Sequence, residues 1–133
     1  MRSHAVLAAW VALVLAVTVP WTSYRPHPHW DRVVWIPFRS AVIRPSDIVG
    51  NVMLYVPLGW WWARRAPARL ARPLAGAIVM AFGVSVACEW SQVYSHGRFP
   101  SATDVSMNVL GAALGVIVVG RVGRAPGTRA MVN

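Results

Sequence analysis

Three carboxylates and three carboxamides lie in or beside the most apolar stretches of this chain, at helical spacing: Asp47, Glu89 and Asp104 with Asn51, Gln92 and Asn108. Asp47 precedes Asn51 by four positions, and Asp104 precedes Asn108 by four. Each pair therefore shares a helix face, one turn apart. Ser85, Glu89 and Gln92 share a face at spacings of four and three. Glu89 falls about five residues inside the end of its apolar run, or ~8 Å deep at the helical rise. A carboxylate at that depth in lipid is costly unless it faces other helices, pairs, or binds a proton. By sequence, Arg98 is its nearest candidate partner. Residues of these types suit three kinds of chemistry. They can bind a polar head group, with Arg98 on a phosphate and the carboxamides orienting it. They can supply a general acid/base at Glu89, or exchange protons with a transported substrate.

The two aspartates also repeat in context. Ser46-Asp47-Ile48-Val49-Gly50-Asn51-Val52 aligns with Thr103-Asp104-Val105-Ser106-Met107-Asn108-Val109, as if a helical hairpin had been duplicated. A structural reading of the same residues is an N-capping hydroxyl followed by a first-turn acid. Ser101 and Asp104 also fit a capping box, and the asparagines could simply join helices. After Asn108, Gly111 and Gly115 form a small-xxx-small pattern that permits close helix contact.

The elements that must position these residues are apolar. Of the 133 residues, 56% are hydrophobic and 13% charged, against roughly 25% charged in soluble domains. A spanning helix needs about 20 apolar residues, and four runs approach this: 4–22, 48–63, 74–94 and 105–122. The expected fold is an all-α membrane bundle of four transmembrane helices, forming one domain over 1–133 with a basic tail at 123–133. Pro57 should kink the second span. The first has Arg2 and an apolar core but no clear small-x-small cleavage site, so it reads as a retained helix rather than a signal peptide.

Every basic residue is arginine, 13 against four acids. The N-terminus, second loop and tail hold Arg2, Arg64, Arg65, Arg69, Arg72, Arg121, Arg124 and Arg129. The first and third loops hold Arg25, Arg32, Arg39, Arg44 and Arg98. The positive-inside rule then puts both termini in the cytoplasm. Trp21, Tyr24, Trp60 to Trp62, Trp90 and Tyr94 fall where interfacial aromatic belts occur. On this topology Asp47, Glu89 and Asp104 gather toward the outer face. No nucleic-acid motif accompanies the positive charge. Cys88, the single cysteine, excludes an intramolecular disulfide and reads as a small buried hydrophobe. His27-Pro28-His29 with His96 matches no strong metal-ligand spacing and reads as an unstructured outer loop. No metal or other cofactor is expected.

Glu89, Gln92, Arg98, Asp104, Asn108, Gly111 and Gly115, at these intervals, resemble the VanZ-like membrane protein family. So do Trp35-Ile36-Pro37-Phe38 and Asp47, Asn51 and Pro57-Leu58-Gly59, so that the resemblance covers about Trp35 to Gly115. The family takes its name from a protein associated with resistance to the glycopeptide teicoplanin. The resemblance implies a cell-envelope membrane protein whose functional positions are Asp47, Asn51, Glu89, Gln92, Arg98, Asp104 and Asn108.

Three functions are compatible with these residues. The leading one is non-catalytic binding of a membrane lipid or lipid-linked envelope-precursor head group at the outer polar cluster. A second is an intramembrane enzyme acting on a phospholipid or polyprenyl-linked substrate, with Glu89 as general acid/base and Asp47 and Asp104 as helpers or holding a cation. No nucleophile motif supports it. The third is a small proton-coupled exporter, which would need a homo-oligomer to enclose a path.

Overall fold

A computed structural model describes residues 2–39, 43–65 and 73–122. It is all-helical: α1 Arg2–Thr18, α2 Pro45–Arg65, α3 Pro73–Gln92 and α4 Ala102–Val122, with a short 3₁₀ turn at Trp30–Arg32. Among the described residues the only β pairing is two isolated bridges. The basic tail at 123–133 and the second-loop arginines Arg69 and Arg72 lie outside the described residues.

The helices fall where the spans are expected, with shifted ends. The first stops at Thr18, short of residue 22, because Pro20 supplies no N–H to continue it. The Leu15 carbonyl accepts the last i−4 bond, from the Val19 N–H at 3.1 Å, and also the Trp21 indole N–H at 2.9 Å. The second runs from Pro45, favoured at a first helical position, through Pro57 to Arg65 in one assigned helix. Of the four helices, Pro73–Gln92 and Ala102–Arg121 are long and apolar enough to cross a membrane. Ala5–Thr18 is apolar but shorter, and α2 carries Asp47, Arg64 and Arg65 within its length.

The core is centred on α2 and α4. Trp10, Val14, Tyr55, Leu58, Ala81, Cys88 and Ala112 are buried against one another, and Cys88 is a free, buried thiol. Trp10 meets Tyr55 edge to face at 5.5 Å and donates its indole N–H to the Leu54 carbonyl at 2.6 Å, docking α1 on α2. The closest approach comes from missing side chains. A Cβ on Gly111 would run into the Val52 carbonyl, one on Gly115 into the Val56 carbonyl, and one on Gly59 into the Ala112 carbonyl. Because 52 faces 111 and 56 faces 115, α2 and α4 lie parallel. The repeated Asp-x-x-x-Asn segments therefore start side by side at one end of the bundle.

Candidate functional site

At that end, where α1 and α3 finish and α2 and α4 begin, a cavity of about 910 Å³ opens. Asp47, Asn51, Glu89, Gln92, Arg98, Asp104 and Asn108 all line it. Each is held by a specific local cause.

The first N–H groups of α4 have no intrahelical partners and must be satisfied from outside. Ser101 donates its backbone N–H to Glu89 Oε2 at 2.7 Å, and Ala102 donates to the Val34 carbonyl at 2.9 Å. The Thr103 N–H reaches Ser101 Oγ at 3.1 Å. Ser101 is therefore the N-cap. In the capping box expected of Ser101 and Asp104, the acid would take the N-cap N–H; here Glu89, from α3, takes it. Asp104 is thereby left to accept from Asn51 Nδ2 at 2.7 Å, a charge-assisted bond between α4 and α2.

The expected hydroxyl caps are corrected as well. The second helix begins at Pro45, so Ser46 lies inside it and its hydroxyl donates to Asp47 Oδ1 at 3.3 Å. Thr103, also inside its helix, accepts the Phe38 N–H at 2.8 Å. That bond holds Phe38 at a φ of 61°, a left-handed conformation uncommon for a non-glycine residue.

The two aspartate–asparagine pairs do not behave symmetrically. Asn51 turns to Asp104, while Asn108 Nδ2 donates to Ser85 Oγ on α3 at 2.8 Å. Asn108 Oδ1 is buried and has no protein partner. Gln92 Nε2 donates to the Thr18 carbonyl at 3.2 Å and Arg98 Nη2 to the Val17 carbonyl at 2.6 Å. These donors satisfy last-turn carbonyls of α1, where positive charge is favoured by the helix dipole. The hydrogen bond of the Arg98 guanidinium is thus to α1, while its charge still acts through space on Glu89, the partner that sequence proximity suggested.

Sequence reasoning also missed contributors to this cavity. Arg44 lines it, and its carbonyl accepts the Asp47 and Ile48 N–H groups at the start of α2 at 3.0 and 3.4 Å. The carbonyls of Val17 and Thr18 and the N–H of Ser101 are backbone groups, which residue type does not reveal. Among the described residues, the three carboxylates do not gather closely enough to share one metal ion. In the adjoining loop, the His96 imidazole is held below its ordinary pKa by desolvation first, then by His29, Arg25, Arg32 and His27.

Compared with known proteins, residues 3–122 match the model of the VanZ/LLP1 family. The match reaches further than the motif residues do, because it includes α1. No curated protein and no solved structure matches.

Proposed function

Since the chain belongs to the VanZ/LLP1 family, we propose that it is a multi-pass cell-envelope membrane protein that binds a lipid or lipid-linked precursor head group in the cavity where the four helix ends meet. The observation that carries this reading is the composition of that cavity. Asp47, Glu89 and Asp104 share it with Arg44 and Arg98, and the Asn108 Oδ1 acceptor is buried beside them without a protein partner. A ligand that satisfies all of these carries both signs: a phosphate for the arginines, and amine or hydroxyl donors for the carboxylates and Asn108. Aminophospholipids and phosphate-linked sugars have that chemistry.

Lipid around the helices fits their surfaces. On α3, Val79, Phe82 and Val86 are exposed, and on α4 so are Leu110, Leu114, Ile117 and Val118. A continuous apolar surface on a protein in water would mark an interaction site; around spanning helices it is the ordinary lipid-facing side. All four helices then cross the membrane, with both termini in the cytoplasm and the cavity opening outward. A role in glycopeptide resistance would follow if the ligand were a precursor that such drugs target.

The test is head-group binding by purified protein in nanodiscs, read by native mass spectrometry against a panel of zwitterionic, anionic and polyprenyl-phosphate lipids. Arg98→Ala and Arg44→Ala should each weaken binding of the preferred lipid at least tenfold, or about 1.4 kcal/mol. Arg44 serves as the check because Arg98 also holds α1. If both variants bind as wild type does, the reading is wrong. A catalytic version rests on the position of Glu89 on the wall of this cavity and of a second one lined by Trp30, Trp35, Phe82 and Trp90. Turnover of labelled envelope lipids that disappears in Glu89→Gln would establish it in place of simple binding.

A further inference from the structure

The loops that follow α1 and α3 are stitched together rather than free. Tyr24 and Ser95 form an antiparallel bridge, and the Ser23 and Ser95 hydroxyls lie 2.7 Å apart. The Arg25 N–H donates to the Tyr94 carbonyl at 2.7 Å and the His29 N–H to the Val93 carbonyl at 2.9 Å. Arg32 Nη1 reaches the His96 carbonyl at 2.8 Å. Tyr24 and Tyr94 stack at 5.9 Å, and Pro26 and Pro28 stiffen the segment by fixing φ. The expectation of an unstructured loop here is therefore corrected.

This stitching brings three imidazoles to one point. His27 and His29 lie with ring centres 4.7 Å apart, and His96 lies 5.6 and 4.4 Å from them. One ring nitrogen from each falls within 4.8 Å of the others. His29 Nε2 is buried and has no hydrogen-bond partner. An imidazole nitrogen withheld from water and from protein donors calls for a ligand of its own.

We propose that His27, His29 and His96 form a three-imidazole site for a divalent transition metal of the zinc class. Zinc bonds imidazole nitrogen at about 2.0–2.1 Å, which sets tetrahedral ligand atoms about 3.4 Å apart. Closing the present spacing to that requires side-chain rotation of His27 and His96, whose exposure leaves them room to turn. Three protein nitrogens leave a fourth position for water or for an anionic ligand group. An all-nitrogen set selects zinc, copper or nickel over magnesium and calcium, which require oxygen. Two nearby cations weigh against a further positive charge, yet each has its own partner. Arg32 is bonded to the His96 carbonyl and sits 5.7 Å from the Phe99 ring, and Arg25 donates to the Tyr24 carbonyl. The metal would pin the two loops together beside Gly97 and Arg98, which line the head-group cavity.

The experiment uses the full-length, tag-free protein in detergent. Zinc is titrated by calorimetry, and cobalt(II) reports tetrahedral coordination by its visible absorption. Wild type should bind one zinc per chain and gain thermal stability from it. His27→Ala, His29→Ala and His96→Asn should each lose at least about 10–100-fold in affinity, the loss seen even for groups behind a metal's direct ligands. His4→Ala, at the far end of α1, should bind as wild type, and excess magnesium should not compete. His96 is exposed, so His96→Asn keeps the test valid should His29→Ala fail to fold. No stoichiometric binding by wild type, undiminished binding in His96→Asn, or binding lost in His4→Ala would each overturn the site.

Discussion

Glu89 shows how one side chain serves both fold and site. Its carboxylate accepts the Ser101 N–H at the start of α4, where the helix dipole favours negative charge. Removing the acceptor leaves a partly buried N–H unsatisfied, which costs about 1–3 kcal/mol. Glu89→Ala should therefore destabilise the protein by roughly that amount, whereas Glu89→Gln, which keeps a carbonyl oxygen, should lose well under half of it. Thermal denaturation in detergent would compare the two, and equal losses would show that the bond to Ser101 is not what holds α4. The sequence already marked Glu89 as important, because an acid inside an apolar helix needs a reason. Its partner was not legible. The nearest arginine was the natural guess, yet the carboxylate met a backbone N–H twelve residues on, and Arg98 went to an α1 carbonyl.

Between elements, the contact of α2 with α4 depends on atoms that are missing. Gly59, Gly111 and Gly115 each face a backbone carbonyl of the opposite helix. Gly111→Ala forces a methyl against the Val52 carbonyl, which cannot swing aside, so the helices must separate. Overpacking of this kind costs about 1–3 kcal/mol. Gly83, in the middle of α3, has open space where a Cβ would go. There alanine should stabilise by about 0.5–1 kcal/mol, the usual penalty of a mid-helix glycine. Opposite signs for Gly111→Ala and Gly83→Ala in an unfolding titration are expected, and a shared sign would contradict the packing. The glycine spacing of 111 and 115 and the Asp-x-x-x-Asn repeat were readable because both follow helical periodicity. Which asparagine faces which helix was not readable, since Asn51 and Asn108 occupy equivalent places in the repeat and differ only in their neighbours. Ser46 and Thr103 lie inside their helices rather than capping them for a related reason: Pro45 and Ala102 start the helices earlier than the apolar pattern does.

At the scale of the whole molecule, the membrane reading proposed above requires α2 to cross the bilayer beside α3 and α4, the two helices long and apolar enough to do so. Its 21 residues extend about 31 Å, close to the ~30 Å hydrocarbon thickness. Its charges lie at its ends, where they reach the interfaces. Asp47 is in the first turn, and at the other end the Arg64 guanidinium lies 4.5 Å from the Trp60 ring and that of Arg65 5.7 Å from Trp61. Arginine lying over tryptophan at a helix end is the arrangement expected at a membrane surface, with the stem buried and the charge in the head groups. The parallel packing on α4 adds a geometric constraint: a helix in backbone contact along Val52, Val56 and Gly59 with a neighbour long and apolar enough to span would share that neighbour's depth. Cysteine labelling decides it in a Cys88→Ala background, which removes the one native thiol. A membrane-impermeant maleimide should label Ser46→Cys in intact cells and Arg65→Cys only after permeabilisation. Labelling of both from the same side would mean that α2 does not cross, and the proposed head-group cavity would then lose its position at the membrane surface. The reverse pattern would keep the bundle but invert it, placing the cavity and the three histidines in the cytoplasm and removing the positive-inside argument for their orientation.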